Sequence, residues 1–171
     1  DIGKRTKESS RIPFTKEEIK RLFEVEKDLY FTDTILIMIY TGFRIGELLE
    51  LKKENINLEN KTITGGIKTE AGKNRIVPIN KLILPFIEKR LKKNNTYLIE
   101  NSKGEKMKYD NYYRERWQPI MNKLGMNHKP HDCRHTFATL LNNADANQTS
   151  IKKLIGHSSF LTTEKIYTHK D

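Results

Sequence analysis

His128-Lys-Pro-His131-Asp-Cys-Arg134-His135-Thr-Phe-Ala-Thr-Leu-Leu141 is the stretch from which the rest of the chain can be read. Pro130 stands one residue before His131, and the apolar-rich run from Thr136 to Leu141 has helical spacing. A helix is therefore expected, with His131 and Arg134 in its first turn or so. Backbone N–H groups at a helix start attract anions, and residues three apart share a face, so this His and Arg suit a phosphate. All five histidines of the protein fall between His128 and His169. Further on, Gly156 reads as a helix stop after Ser150-Ile-Lys-Lys-Leu-Ile155, leaving His157 on a loop, and Tyr167 follows ten positions later.

Upstream, Thr15-Lys-Glu-Glu18 is a capping-box pattern that starts a helix through about Lys27, with Ile19, Leu22 and Phe23 on one side. The most apolar run, Phe31 to Tyr40, is long enough for a buried helix but far short of the roughly 20 residues of a membrane span. Thr41-Gly42 ends it. Arg44-Ile-Gly-Glu47-Leu-Leu-Glu-Leu51 restarts helical spacing, with Ile45, Leu48 and Leu49 inward and Arg44 within pairing distance of Glu47. Ile56–Leu58, Thr62–Ile67 and Arg75–Ile79 read as short strands, and Pro78 places the last at a sheet edge or end. A helix within Asn80–Lys93 should begin near Leu84, because Pro85 suits a first turn. Asp110 is expected to cap a helix from Asn111 to Trp117, which Pro119 then kinks or divides, with Trp117 in the core. The resulting fold class is α+β, mainly α-helical with a small antiparallel β-sheet or hairpin.

At 171 residues one core is expected, and 32 Lys+Arg against 22 Asp+Glu give a formal charge of +10, which suits a polyanionic partner. Cys133 is the single cysteine, so an intrachain disulfide and a cysteine-based zinc cluster are excluded, and a reducing cytoplasm is the simplest setting. His131 and His135 have the spacing of a zinc pair but lack the adjacent glutamate of the metalloprotease motif. The first residues are not a secretory signal, and a start at Asp1 suggests an excised or processed chain. Residues 1–12 read as a basic linker or arm, or as a disordered end, and 13–171 as the functional domain.

Thr41-Gly-Phe-Arg44-Ile-Gly-Glu47-Leu, Ile67-Lys68-Thr with Arg75-Ile-Val-Pro78, His131-x-x-Arg134, Leu154-Ile-Gly-His157 and Thr163-Glu-Lys-Ile-Tyr167-Thr-His169 resemble, in order, the boxes of the tyrosine recombinase (phage integrase) family. The resemblance implies that family's catalytic-domain fold, without its N-terminal core-binding domain in this chain. It implies catalytic roles for Arg44, Lys68, His131, Arg134 and His157, with Tyr167 as nucleophile and Glu47 holding Arg44 in place. Lys73 competes with Lys68 for the lysine role. Lys73, Arg75, Arg114 and Arg116 are expected DNA contacts. The implied reaction is site-specific recombination or integration of double-stranded DNA for a phage or mobile element, through a 3′-phosphotyrosine intermediate, with neither cofactor nor metal. It also implies a homo-tetramer on DNA for a full-length protein, a monomer for this piece, accessory DNA-bending proteins as further partners, and a cytoplasmic, nucleoid-associated bacterial setting. Two alternatives are a type IB topoisomerase-like enzyme and a DNA-binding module without chemistry. Without the resemblance, each residue has a plainer account: Arg44–Glu47 as a surface ion pair, His131 as a helix cap, Tyr167 as an amphipathic surface tyrosine.

Overall fold

Thr15 launches helix α1 (Lys16–Val25) through a reciprocal pair of bonds. Its Oγ1 accepts from the Glu18 N–H at 3.0 Å, and Glu18 Oε1 accepts from the Thr15 N–H at 2.9 Å. The apolar run becomes helix α2 (Thr32–Thr41), in which Ile35 to Ile39 are wholly buried. A helix apolar all round belongs at the centre of a fold, and α2 is that centre. The computed structural model describes residues 12–65 and 75–144.

Gly42 stops α2 in the left-handed region, φ +78°, with its N–H on the Met38 carbonyl at 2.9 Å. A Cβ there would also lie 2.5 Å from the ring of Phe137. Glycine is thus required twice, by the turn and by the close approach of α7 (His131–Asn143), which packs along α2. Helix α3 (Ile45–Glu50) follows at once and buries Leu48 and Leu49, with Ile45 half-buried.

Three strands, β1 (Ile56–Asn57), β2 (Thr62–Gly65) and β3 (Arg75–Pro78), form an antiparallel sheet in that order. Pro78 ends the edge strand opposite Thr62, where its missing N–H costs no inner ladder bond. Gly65 pairs with Arg75 across the β2–β3 ladder. Helix α4 (Leu84–Leu91) begins where Pro85 allows.

Two details of the next segment differ from the sequence reading. Lys108, not Asp110, is the cap of α5 (Tyr109–Tyr112); its extended carbonyl accepts from the Tyr112 N–H at 2.9 Å, and Asp110 lies in the first turn. Of the kink or division expected at Pro119, the division does not occur: a π-helical segment, Tyr113–Trp117, carries the chain directly into α6 (Gln118–Leu124). The wider turn absorbs the lost donor and the ring's clash with the preceding turn. Trp117 is wholly buried, its Nε1 donating to the His128 carbonyl at 2.9 Å. Among the described residues no helix is long and apolar enough to cross a membrane.

Candidate active site

The corner between α2 and α3, residues 42 to 44, collects charge from three parts of the chain. Arg44 is the N-cap of α3, and its backbone N–H donates to Glu47 Oε1 at 2.8 Å, while its Nη1 lies 3.8 Å from Oε2. Arg134, in the first turn of α7, donates from Nη1 to the Gly42 carbonyl at 3.0 Å and stands 4.0 Å from Glu47 Oε1. Arg75, at the start of β3, places Nη2 3.3 Å from the same oxygen and its guanidinium 5.1 Å over the Phe43 ring. Among the described residues, one buried carboxylate therefore faces three guanidiniums. Burial, with Arg44 adding to it, lowers the pKa of Arg134 to about 10. Burial also lowers that of Arg75. An anion entering here would relieve both. The side chain of Arg44 is 37% exposed and that of Arg134 is 5% exposed, so the cluster is reached from Arg44's side.

His131 borders this cluster. Its pKa is lowered by desolvation and then by His135, Arg134 and Arg44, so at neutral pH the exposed imidazole is an unprotonated acceptor. The rings of His131 and His135 meet edge to face, centroids 4.9 Å apart. An unprotonated imidazole beside two or three cations suits proton transfer at a bound phosphate.

His128, a residue to which the sequence reading gave no role, secures the helix that carries His131 and Arg134. Its Nδ1 lies 2.8 Å from Asp132 Oδ2, its Nε2 lies 2.9 Å from Glu18 Oε1, and its ring stacks on Phe14 at 3.9 Å. Burial pulls this imidazole toward the neutral form, but the two carboxylates outweigh burial and raise its pKa. The signal was present as the four-residue spacing of His128 and Asp132; the partner on α1 was not visible locally.

The remaining expectations fall out unevenly. Arg75, expected on a DNA-facing surface, has a side chain only 4% exposed and turned onto Glu47. Arg116 lies half-buried over Phe31 at 4.3 Å and Tyr30 at 5.1 Å, whereas Arg114 is exposed and donates to Asn111 at 2.9 Å. Lys68, Lys73, His157 and Tyr167 lie outside the described residues.

Residues 13–171 match the phage integrase family. The chain belongs to the phage integrase family. Among its relatives, the tyrosine recombinase XerA of Pyrococcus horikoshii is 33% identical over 163 residues, 90% of this chain and 55% of that protein. The tyrosine recombinase XerC of Staphylococcus aureus is 32% identical over 91% of this chain and 56% of its own length. This member of the phage integrase family thus spans a little over half the length of the relatives it matches. In three dimensions it resembles a crystal structure of XerA recombinase with TM-score 0.75 and 28% identity, over 92% of this chain and 60% of that one. A structure of the XerH site-specific recombinase bound to difH substrate matches with TM-score 0.69 and 28% identity, over 93% of this chain and 51% of that one.

Proposed function

We propose that this chain is the catalytic part of a site-specific DNA recombinase, which breaks and rejoins strands through a 3′-phosphotyrosine. The observation that carries the reading is the convergence of Arg44 and Arg134, remote in sequence, at one buried carboxylate. In phosphoryl transfer, charge gathers on the nonbridging oxygens, and preorganised cations aimed there lower the barrier. Arginine supplies two parallel donors and a permanent charge.

In this scheme Arg44 and Arg134 hold the scissile phosphate, and His157 donates a further hydrogen bond to it. The Tyr167 oxygen attacks phosphorus; the new P–O bond forms as the bond to the 5′-oxygen breaks. The phenol proton passes toward unprotonated His131, and Lys68 supplies a proton to the departing 5′-oxygen. Attack by a second strand's 5′-hydroxyl reverses these steps and rejoins the backbone, so no nucleotide cofactor is consumed. Glu47 holds Arg44 by its backbone N–H. Exposed Arg114, together with Lys73, is a proposed contact to duplex phosphates. A tetramer on two recombining sites, with accessory bending proteins, completes the proposal for the longer protein.

The test is a suicide duplex, nicked beside a candidate junction sequence and incubated in chelator with the longest native polypeptide that contains this chain. The expected result is a covalent protein–DNA adduct that disappears in Tyr167→Phe. An adduct that persists in that variant means another nucleophile. Relaxation of supercoiled DNA lacking any defined site, without strand exchange, would favour topoisomerase-like action instead.

A further inference from the structure

Arg75 is the one arginine of the cluster that the reaction scheme leaves idle, and its surroundings argue against idleness. Gly65, opposite it in the sheet, has no side chain, and a Cβ there would come 2.8 Å from Leu51 Cδ2 and 3.5 Å from the Phe43 ring. That bare position leaves room for Leu51, beside Phe43, over whose ring the Arg75 guanidinium lies. Phe43 itself stands between Gly42, which seats Arg134, and Arg44. Arg75 is thus built onto the same three-residue corner as both clamp arginines.

Its bonding is incomplete in a way that stability does not explain. Nη2 reaches Glu47 Oε1, but Nε and Nη1 are buried with no hydrogen-bond partner among the described residues. Buried donors on a charged group are normally satisfied, and an exception calls for a reason. A buried ion pair kept for stability alone is often replaceable by apolar residues without loss. Direct contact with a DNA groove is also a poor account, since the side chain is 4% exposed.

We propose that Arg75 is a positioning residue for phosphate transfer: by occupying Glu47 it keeps that carboxylate from closing on Arg134, and so sets the spacing and net charge of the Arg44–Arg134 pair. The distances carry the point. Glu47 Oε1 sits 3.3 Å from Arg75 and 4.0 Å from Arg134. Without Arg75, the carboxylate's strongest remaining side-chain attraction on that oxygen is Arg134, whose closure onto Glu47 would turn one clamp cation into half of a neutral pair. The inference rests on the phosphoryl-transfer reading above.

The experiment compares wild type, R75Q, R75K, E47Q and E47Q/R75Q in the longest native polypeptide, measuring DNA affinity, its salt dependence and the rate of covalent adduct formation. It adds a substrate whose scissile phosphate is a methylphosphonate, which lacks one negative charge. R75Q is expected to bind DNA with unchanged affinity and salt slope but to cleave about 10-fold to 100-fold more slowly, the scale on which misplaced supporting groups act. R75K should recover part of the rate. The R75Q deficit should shrink in the E47Q background and on the methylphosphonate, outcomes that a merely structural role would not produce. If R75Q does not fold, R75K and the double variant still decide the matter. Wild-type cleavage in R75Q, strictly additive effects with E47Q, or a salt slope reduced by about one as for a phosphate-contacting cation would each overturn the inference. A wild-type chain that forms no adduct would instead overturn the transfer reading, and this inference with it.

Discussion

Two buried arginine–carboxylate clusters stand at opposite ends of α2. At its start, Asp33 takes both donors of Arg90 side by side, at 2.6 and 2.8 Å, and the Arg90 guanidinium lies 4.7 Å over the Phe31 ring. Burial opposes the charge on Arg90, but Asp33 outweighs it and the pKa rises. At the other end, Glu47 faces Arg44, Arg75 and Arg134 at 3.3 to 4.0 Å, and burial lowers the pKa of Arg75 and Arg134. In the first cluster Asp33 and Arg90 pair two oxygens with two donors. In the second, among the described residues, three guanidiniums share one carboxylate, and the difference teaches that the two ends of one buried helix hold their arginines by different charge balances.

The comparison can be broken most forcefully at the Asp33 end. Arg90→Ala leaves Asp33 buried and unpaired, so urea denaturation should show a loss of about 3–5 kcal/mol. Next comes the Glu47 end: Arg44→Ala and Arg134→Ala should each slow adduct formation by at least about 100-fold. If neither does, the clamp is wrong. Gly42→Ala introduces both a positive-φ strain and a clash with Phe137, for an expected loss of about 1–3 kcal/mol.

His128 sharpens the comparison through pH. Its folded pKa is raised above the ordinary 6.5, so the stability it contributes is fully present below that value and is lost as pH rises through the folded pKa. The melting temperature of wild type should fall over that window, and His128→Asn should flatten the fall. His131 carries the opposite sign: its folded pKa is depressed, so protonating it costs stability as pH drops below 6.5. The smallest effect is at Lys106–Glu50, where both partners are exposed; Glu50→Ala should change stability by no more than about 1 kcal/mol.

Much of this was legible in the chain because it rests on local rules. The capping box at Thr15, the stop at Gly42, the late start at Leu84 and the three-residue spacing of Arg44 and Glu47 all depend on a few neighbouring residues. The position of Arg134 in the first turn of α7 followed from Pro130 and the apolar run behind it. What stayed hidden depends on partners far away. The sequence reads Arg75 as a DNA contact, yet β3 turns Arg75 and Val77 inward together. Inside, its partners are Glu47 and Phe43, neither of them near in sequence. The π-helical segment was likewise illegible: Pro119 signals trouble for a helix without saying whether the chain will break, bend or widen its turn.

Gly42 ties Arg134 and Arg44 to the middle of the protein: its carbonyl seats the first, the second hangs two residues further on, and Phe137 closes the gap between α2 and α7. The backbone corner that carries the two arginines therefore has no softness of its own, since it is fixed by the packing of two core helices. On slow heating, loss of adduct formation should coincide with global melting rather than run ahead of it.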